Sequence, residues 1–98
     1  MAHTIERDGE ILTVHVQDKL DINTSPELEE DLMPMLEGVR ALTIDLALTS
    51  YVSSMGLRLL LALQKRMSKQ GTMLVANVPA EVMELFEESG FSQILTIV

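Results

Sequence analysis

Two adjacent serines, Ser53 and Ser54, are the residues whose type and position best support a chemical role. They lie in segment 49–57, which joins a predicted strand to a predicted helix and places them at the start of that helix. The first amide groups of a helix have no intrahelical acceptor, so a serine there is in isolation simply an N-cap. The same amides favour anions, and a phosphate on such a hydroxyl would bring about −1.5 to −2 charges to them. A serine at this position could therefore be phosphorylated without unfolding the domain.

The other polar residues give weaker signals. His3 and His15 fall in predicted strands, with no acid pair nearby at metal-ligand spacing, which is typical of surface strand histidines. The chain has no HExxH, GxSxG, P-loop or GxGxxG pattern, so we predict neither an enzyme nor a bound metal or cofactor. The acidic groups of the first and third predicted helices are typical of solvated helix faces.

Composition limits the class of protein further. The chain has 98 residues, a net charge of −8 and no cysteine, which predicts one domain over residues 1–98 without disulfides or thiolate chemistry. The negative charge and the scarcity of aromatic residues argue against nucleic-acid binding. The longest apolar run, residues 59–63, is far shorter than the roughly 20 residues that span a bilayer, and Glu6 and Asp8 do not fit a signal peptide. We therefore expect a cytoplasmic, monomeric protein without membrane insertion.

Strands and helices alternate along the sequence. Asp8-Gly9 predicts a hairpin turn between two opening strands, and Leu12, Val14 and Val16 alternate with polar residues along the second. A helix should begin at Thr24, with its hydroxyl as the cap, be kinked by Pro34 and end near Gly38. Further strands are predicted at 41–46, 73–76 and 94–98, and further helices at 55–70 and 80–89. This order predicts an α/β fold whose mixed, mostly parallel sheet has an antiparallel N-terminal hairpin and helices packed on it.

Four motifs in order along the chain resemble a known family. Residues 18–24, with Leu20-Asp21 and Thr24, are similar to a G-x-L-D-x-x-T turn, and Ile44-Asp45-Leu46 is similar to an L-D/N-L strand. Tyr51-Val52-Ser53-Ser54-Met55-Gly56-Leu57 is similar to the loops Y-I-S-S-A-G-L and F-M-D-S-S-G-L, and residues 71–91 are similar to the second half of the same family. The sequence thus resembles the STAS-domain family over nearly its whole length, and within it the stand-alone bacterial anti-sigma factor antagonists.

The resemblance implies a function and a modified residue. The family's phosphoacceptor, two residues before the glycine, falls on Ser54. The unphosphorylated protein would bind an anti-sigma factor of the histidine-kinase-like ATPase fold and free the sigma factor. The same partner would phosphorylate Ser54 from ATP, and a metal-dependent serine phosphatase would reverse the reaction. The ATP and the Mg ion would belong to the kinase.

A partner surface is expected at one end of the sheet, because the turn and the serine loop both follow parallel strands. Its predicted members are Asp21, Asn23, Thr24, Ser53, Met55, Gly56, Leu57 and Arg58. Two residues depart from the family pattern: Asp18 stands where glycine is common, and Met55 replaces a small residue.

Two other functions remain open from the sequence. Some STAS domains that resemble this chain are non-phosphorylated accessory subunits of lipid or anion transport systems. A small nucleotide-binding or hydrolysing domain is a further alternative, but the chain has no phosphate-cradling glycine run and no candidate base near Ser54.

Overall fold

A computed structural model describes residues 3–98 and contains one four-stranded sheet. Its strands lie side by side in the order of the sequence: β1 (His3–Asp8), β2 (Ile11–Leu20), β3 (Ala41–Val52) and β4 (Thr72–Ala76). β1 pairs antiparallel with β2, whereas β2, β3 and β4 pair in parallel. The predicted mixed sheet with an opening hairpin is confirmed.

In the described part of the chain three α-helices accompany the sheet: α1 (Thr24–Leu32), α2 (Ser54–Met67) and α3 (Ala80–Ser89). Alternate residues of the strands are fully buried, as at Val14 in β2 and Ile44 in β3, so one face of the sheet supplies the core. Buried side chains of all three helices, among them Leu28, Leu60 and Phe86, belong to the same cluster. The opposite face of the sheet is only half-buried. Among residues 3–98 no helix has the length and apolar character needed to cross a membrane.

The first helix differs from its prediction at both ends. Thr24 is its first residue rather than its cap, and the side chain that accepts the amide hydrogen bonds there is Asp21. The α-helix ends at Leu32, and a 3-10 turn, Met33–Met35, follows. Pro34 has no N–H group and cannot continue the α-helical bonding, so it ends the helix where a kink was predicted.

The third strand is twice as long as predicted, because residues 47–52 also pair with β2. Thr49 donates its hydroxyl to the carbonyl oxygen of Val16 at 3.0 Å, and Tyr51 and Val52 pair with the end of β2. The pairing shifts register twice, between His15 and Gln17 and again between Asp18 and Lys19. Such bulges break the alternation of buried and exposed residues, which is why the sequence pattern missed this half of the strand.

The remaining elements agree only in part with the bounds predicted from the sequence. α3 has the predicted bounds, while α2 begins at Ser54 and ends at Met67 rather than spanning 55–70. The predicted final strand is wrong: a 3-10 turn, Phe91–Gln93, is followed by a single bridge between Val75 and Ile97. Two backbone hydrogen bonds form this bridge, from the N–H of Val75 to the carbonyl of Thr96 at 2.9 Å and from the N–H of Val98 to the carbonyl of Val75 at 3.0 Å.

His3 is not a surface residue. It is 5% exposed, on the core side of β1, and its Nε2 lies 2.8 Å from Oδ2 of Asp31 in α1. The buried histidine therefore has a carboxylate partner 28 positions away in sequence, which no local pattern could indicate. His15 is half-exposed, which agrees better than His3 does with the prediction of surface histidines.

Candidate functional site at the start of the second helix

The two serines have separate roles at the start of α2. Ser53 is the N-cap: its backbone is extended and its Oγ accepts the N–H of Gly56 at 3.4 Å. Ser54 is the first helical residue and is exposed, and within the described part of the chain its hydroxyl makes no hydrogen bond. Because the neighbouring serine caps the helix, the hydroxyl of Ser54 is left available for chemistry.

The start of α2 is held against the end of β2. Ser53 donates its backbone N–H to the carbonyl oxygen of Leu20 at 2.9 Å. A Cβ atom at position 56 would collide with that same oxygen and would lie 2.9 Å from a methyl group of Val52. A glycine is therefore required at position 56 because helix α2 packs closely against β2. Gly56 is buried, so it can affect partner binding only through the position of the helix.

The turn between β2 and α1 is held by its own side chains. Oδ1 of Asp21 accepts the backbone N–H groups of Asn23 at 2.9 Å and Thr24 at 3.2 Å. These bonds, that from Asn23 above all, lower the pKa of the Asp21 carboxyl below its ordinary value. The hydroxyl of Thr24 donates to the carbonyl of Lys19 at 2.7 Å and accepts the N–H of Asp21 at 2.9 Å. Asp21 and Thr24 thus fix the turn, while Asn23 is exposed at its tip.

The turn and the start of α2 lie at the same end of the sheet, as predicted from the order of the elements. Leu20 belongs to both, because it precedes the turn and its carbonyl binds Ser53. Two exposed apolar side chains also lie at this end: Ile22 in the turn, 67% exposed, and Tyr51 at the end of β3, 47% exposed. The position of Ile22 between polar residues of a turn is the sequence feature that could have indicated an exposed apolar surface here.

The charges near Ser54 favour an added anion. The first turn of α2 has no acidic residue, and Arg58 is exposed one helical turn after Ser54. Within residues 3–98 Arg58 forms no salt bridge. Met55 and Leu57 are half-buried on either side of Gly56. A negative charge on Ser54 would therefore meet free amides and a nearby cation inside this domain.

A second group of interacting titratable side chains, besides His3 and Asp31, lies on the half-buried face of the sheet. Nδ1 of His15 is 2.9 Å from Oδ2 of Asp45, and its Nε2 is 2.7 Å from Oε1 of Glu6. Asp45 also accepts hydrogen bonds from the backbone of Ala47 and the amide of Asn77. The bond to Glu6, followed by that to Asp45, raises the pKa of His15. Among the described residues no group of three or more such side chains could hold a metal ion.

Comparison with known proteins identifies the family. The STAS domain family model matches residues 2–98, so the chain belongs to the STAS-domain family, as its motifs predicted. The chain is 33% identical to an anti-sigma-B factor antagonist of Staphylococcus epidermidis, over 96% of this chain and 88% of the relative. That relative is by name a regulator rather than an enzyme, in agreement with the prediction.

Solved structures show the same fold at low sequence identity. An anti-sigma factor antagonist from Mycobacterium paratuberculosis has a TM-score of 0.86 at 22% identity, over 97% of this chain and 82% of that chain. The Bacillus cell fate determinant SpoIIAA in its phosphorylated form has a TM-score of 0.77 at 16% identity, over 99% of this chain and 91% of that chain.

Proposed function

We propose that this protein is an anti-sigma factor antagonist that is switched off by phosphorylation of Ser54. The observation that carries the proposal is the division of roles at the start of α2, where Ser53 caps the helix and Ser54 presents an exposed hydroxyl. A relative that shares a third of its residues is named an anti-sigma-B factor antagonist, and one structural neighbour is known in a phosphorylated form.

In the proposed cycle, the unmodified protein binds an anti-sigma factor with the histidine-kinase-like ATPase fold and thereby releases the sigma factor. The proposed partner surface is formed by Asp21, Asn23, Thr24, Ser53, Met55, Leu57 and Arg58, of which Asn23 and Arg58 are exposed; the predicted member Gly56 is buried and contributes through the position of the helix. The partner supplies ATP and Mg for phosphoryl transfer to the Ser54 hydroxyl, and a metal-dependent serine phosphatase later removes the phosphate.

Phosphorylation would act on the interface rather than on the fold. Inside this domain the phosphate meets helix amides and Arg58, which favour it. In the complex it faces the nucleotide phosphates of the partner, and like charges brought together in an interface cost several kcal/mol. The modification therefore lowers affinity while the domain stays folded.

The first experiment identifies the partner and maps the modified residue. The wild-type protein and a Ser54→Asp variant are used to capture proteins from the native cytosol, and an ATPase-fold anti-sigma factor should be retained by the wild type alone. The purified anti-sigma factor is then incubated with the wild type and ATP, and mass spectrometry should find phosphate on Ser54. Phosphate on Ser53 or Ser50 would overturn the assignment. Retention of a transporter ATPase by both proteins, without phosphorylation, would favour the accessory-subunit alternative.

A further inference from the structure

A small groove lies between α1 and α2, next to the phosphoacceptor. Its most buried lining residues are Ser25, 3% exposed, and Leu59, 4% exposed, while Met55 and Ala62 are half-buried. Its volume is about 190 Å³. Small-molecule pockets have volumes of about 300–1,000 Å³, so the groove fits a single amino-acid side chain better than a metabolite.

The base of the groove contains an unsatisfied polar atom. The hydroxyl oxygen of Ser25 is buried and has no hydrogen-bond partner among residues 3–98. Buried polar side chains nearly always have such a partner, so an isolated buried hydroxyl requires an explanation. The oxygen is closed to solvent in the free domain, so an occupant with a hydrogen-bonding group at its tip would satisfy it once the lining side chains move aside.

The rim of the groove belongs to the proposed partner surface. Met55 follows Ser54 directly, and the exposed Arg58 stands on the same side of α2, across the groove from Glu29 of α1. Methionine is flexible and polarisable and adapts to the shape of a bound group. A partner that places a side chain here would also bring its active site beside the Ser54 hydroxyl.

We propose that this groove receives one side chain of the anti-sigma factor, with an apolar body and a hydrogen-bonding tip, and so anchors the complex beside Ser54. Interface anchors of this kind are buried in well-packed pockets and contribute much of the binding energy. The inference rests on the proposed function and adds to it the chemistry of the contact that the partner must supply.

The test uses the full chain and the purified anti-sigma factor identified by capture, with affinity measured by calorimetry. Ala62→Leu fills the groove, and we expect it to weaken binding at least about tenfold. Ala80→Leu adds the same atoms at an exposed position of α3 and serves as the control, with affinity within about twofold of the wild type. Wild-type affinity for Ala62→Leu, while Ser54→Asp weakens binding, would overturn the groove and leave the switch intact. If Ser54→Asp also binds normally, the proposed function fails as well.

A second variant tests the proposal independently, in case the Ala62→Leu protein does not fold. Ser25→Ala removes the unsatisfied hydroxyl, so thermal unfolding should occur at the same or a higher temperature while affinity falls by about threefold or more. A purely structural role for Ser25 would instead change stability and leave affinity unaltered, which would contradict the proposal. The groove could instead be occupied by a second copy of the chain, which sedimentation of the wild type tests. A wild-type dimer that the Ala62→Leu substitution converts to a monomer would assign the groove to that second copy and overturn the proposal.

Discussion

Ser53 donates its backbone N–H to the carbonyl oxygen of Leu20 at 2.9 Å, which joins the first residue before α2 to the last residue of β2. The turn that begins at Asp21 follows Leu20 directly, so this bond connects the two loops of the proposed partner surface. Their relative position is therefore set by the backbone rather than by exposed side chains.

The close contact at Gly56 gives the first prediction. Gly56→Ala places a methyl group against the Leu20 carbonyl and the Val52 side chain, and we expect a loss of about 1–3 kcal/mol in the free energy of unfolding. Urea denaturation measures it, with Ser54→Ala as a neighbouring exposed control that should stay within about 0.5 kcal/mol of the wild type. Equal stability of the two variants would show that α2 can move away from β2 without loss.

Asp18 gives a prediction of the opposite sign. Its φ is +63°, a left-handed conformation that glycine adopts without steric cost. Asp18→Gly should therefore leave the protein as stable as the wild type or raise its stability by up to about 1 kcal/mol. The matched control is Asp8→Gly on strand β1, where φ is not positive and glycine should lower stability by about 0.5–1 kcal/mol. A large loss for Asp18→Gly would mean that its contact with the Ser50 hydroxyl outweighs the backbone strain.

The His15 network predicts a pH dependence of stability. Glu6 and Asp45 raise the pKa of His15 above its ordinary value of 6.5 in the folded protein. The folded state therefore binds this proton more tightly than the unfolded state, and the stabilisation is complete below pH 6.5 and is lost as the pH rises through the folded pKa. Denaturation midpoints of the wild type and His15→Gln should differ more at about pH 5.5 than at about pH 8.5. A difference that grows with pH would contradict the network.

The carboxyl of Asp45 affects the stability of the fold in the acid pH range. Its pKa is lowered below 3.8, chiefly by the hydrogen bond from the backbone N–H of Ala47. Its contribution is present above pH 3.8 and is lost as the pH falls through the lower, folded pKa. Asp45→Asn should consequently remove part of the acid sensitivity of the wild type, as measured by unfolding midpoints between about pH 2 and about pH 5. Identical acid unfolding of the two proteins would show that Asp45 contributes nothing to it.

Local sequence patterns predicted the elements that are determined by residues close together in the sequence. The hairpin at Asp8-Gly9 and the bounds of α3 follow from turn chemistry and helical periodicity, and both are confirmed. The second half of β3 and the burial of His3 depend on β-bulges and on a contact with Asp31, so neighbouring residues carried no signal for them. The cap of α1 was assigned to Thr24 because the pattern does not distinguish its hydroxyl from the carboxylate of Asp21, three residues earlier. The groove between α1 and α2 arises only from packing.

The phosphorylated protein should remain folded. A phosphate on Ser54 meets the positive end of α2, which favours anions by roughly 0.3–1 kcal/mol at an exposed site. The unfolding temperatures of the two forms should then differ by less than about 8 °C, since 1 kcal/mol corresponds to about 4–8 °C at this size. A fall of ten degrees or more on calorimetry would mean that the phosphate disrupts the helix start.

The central claim is that phosphate on Ser54 breaks the complex with the anti-sigma factor. The most direct measurement is the affinity of the purified anti-sigma factor for the unmodified protein and for protein phosphorylated on Ser54, by calorimetry at one salt concentration. We predict that the phosphorylated form binds about a hundredfold more weakly, which corresponds to about 2.8 kcal/mol. Equal affinity of the two forms would contradict the account.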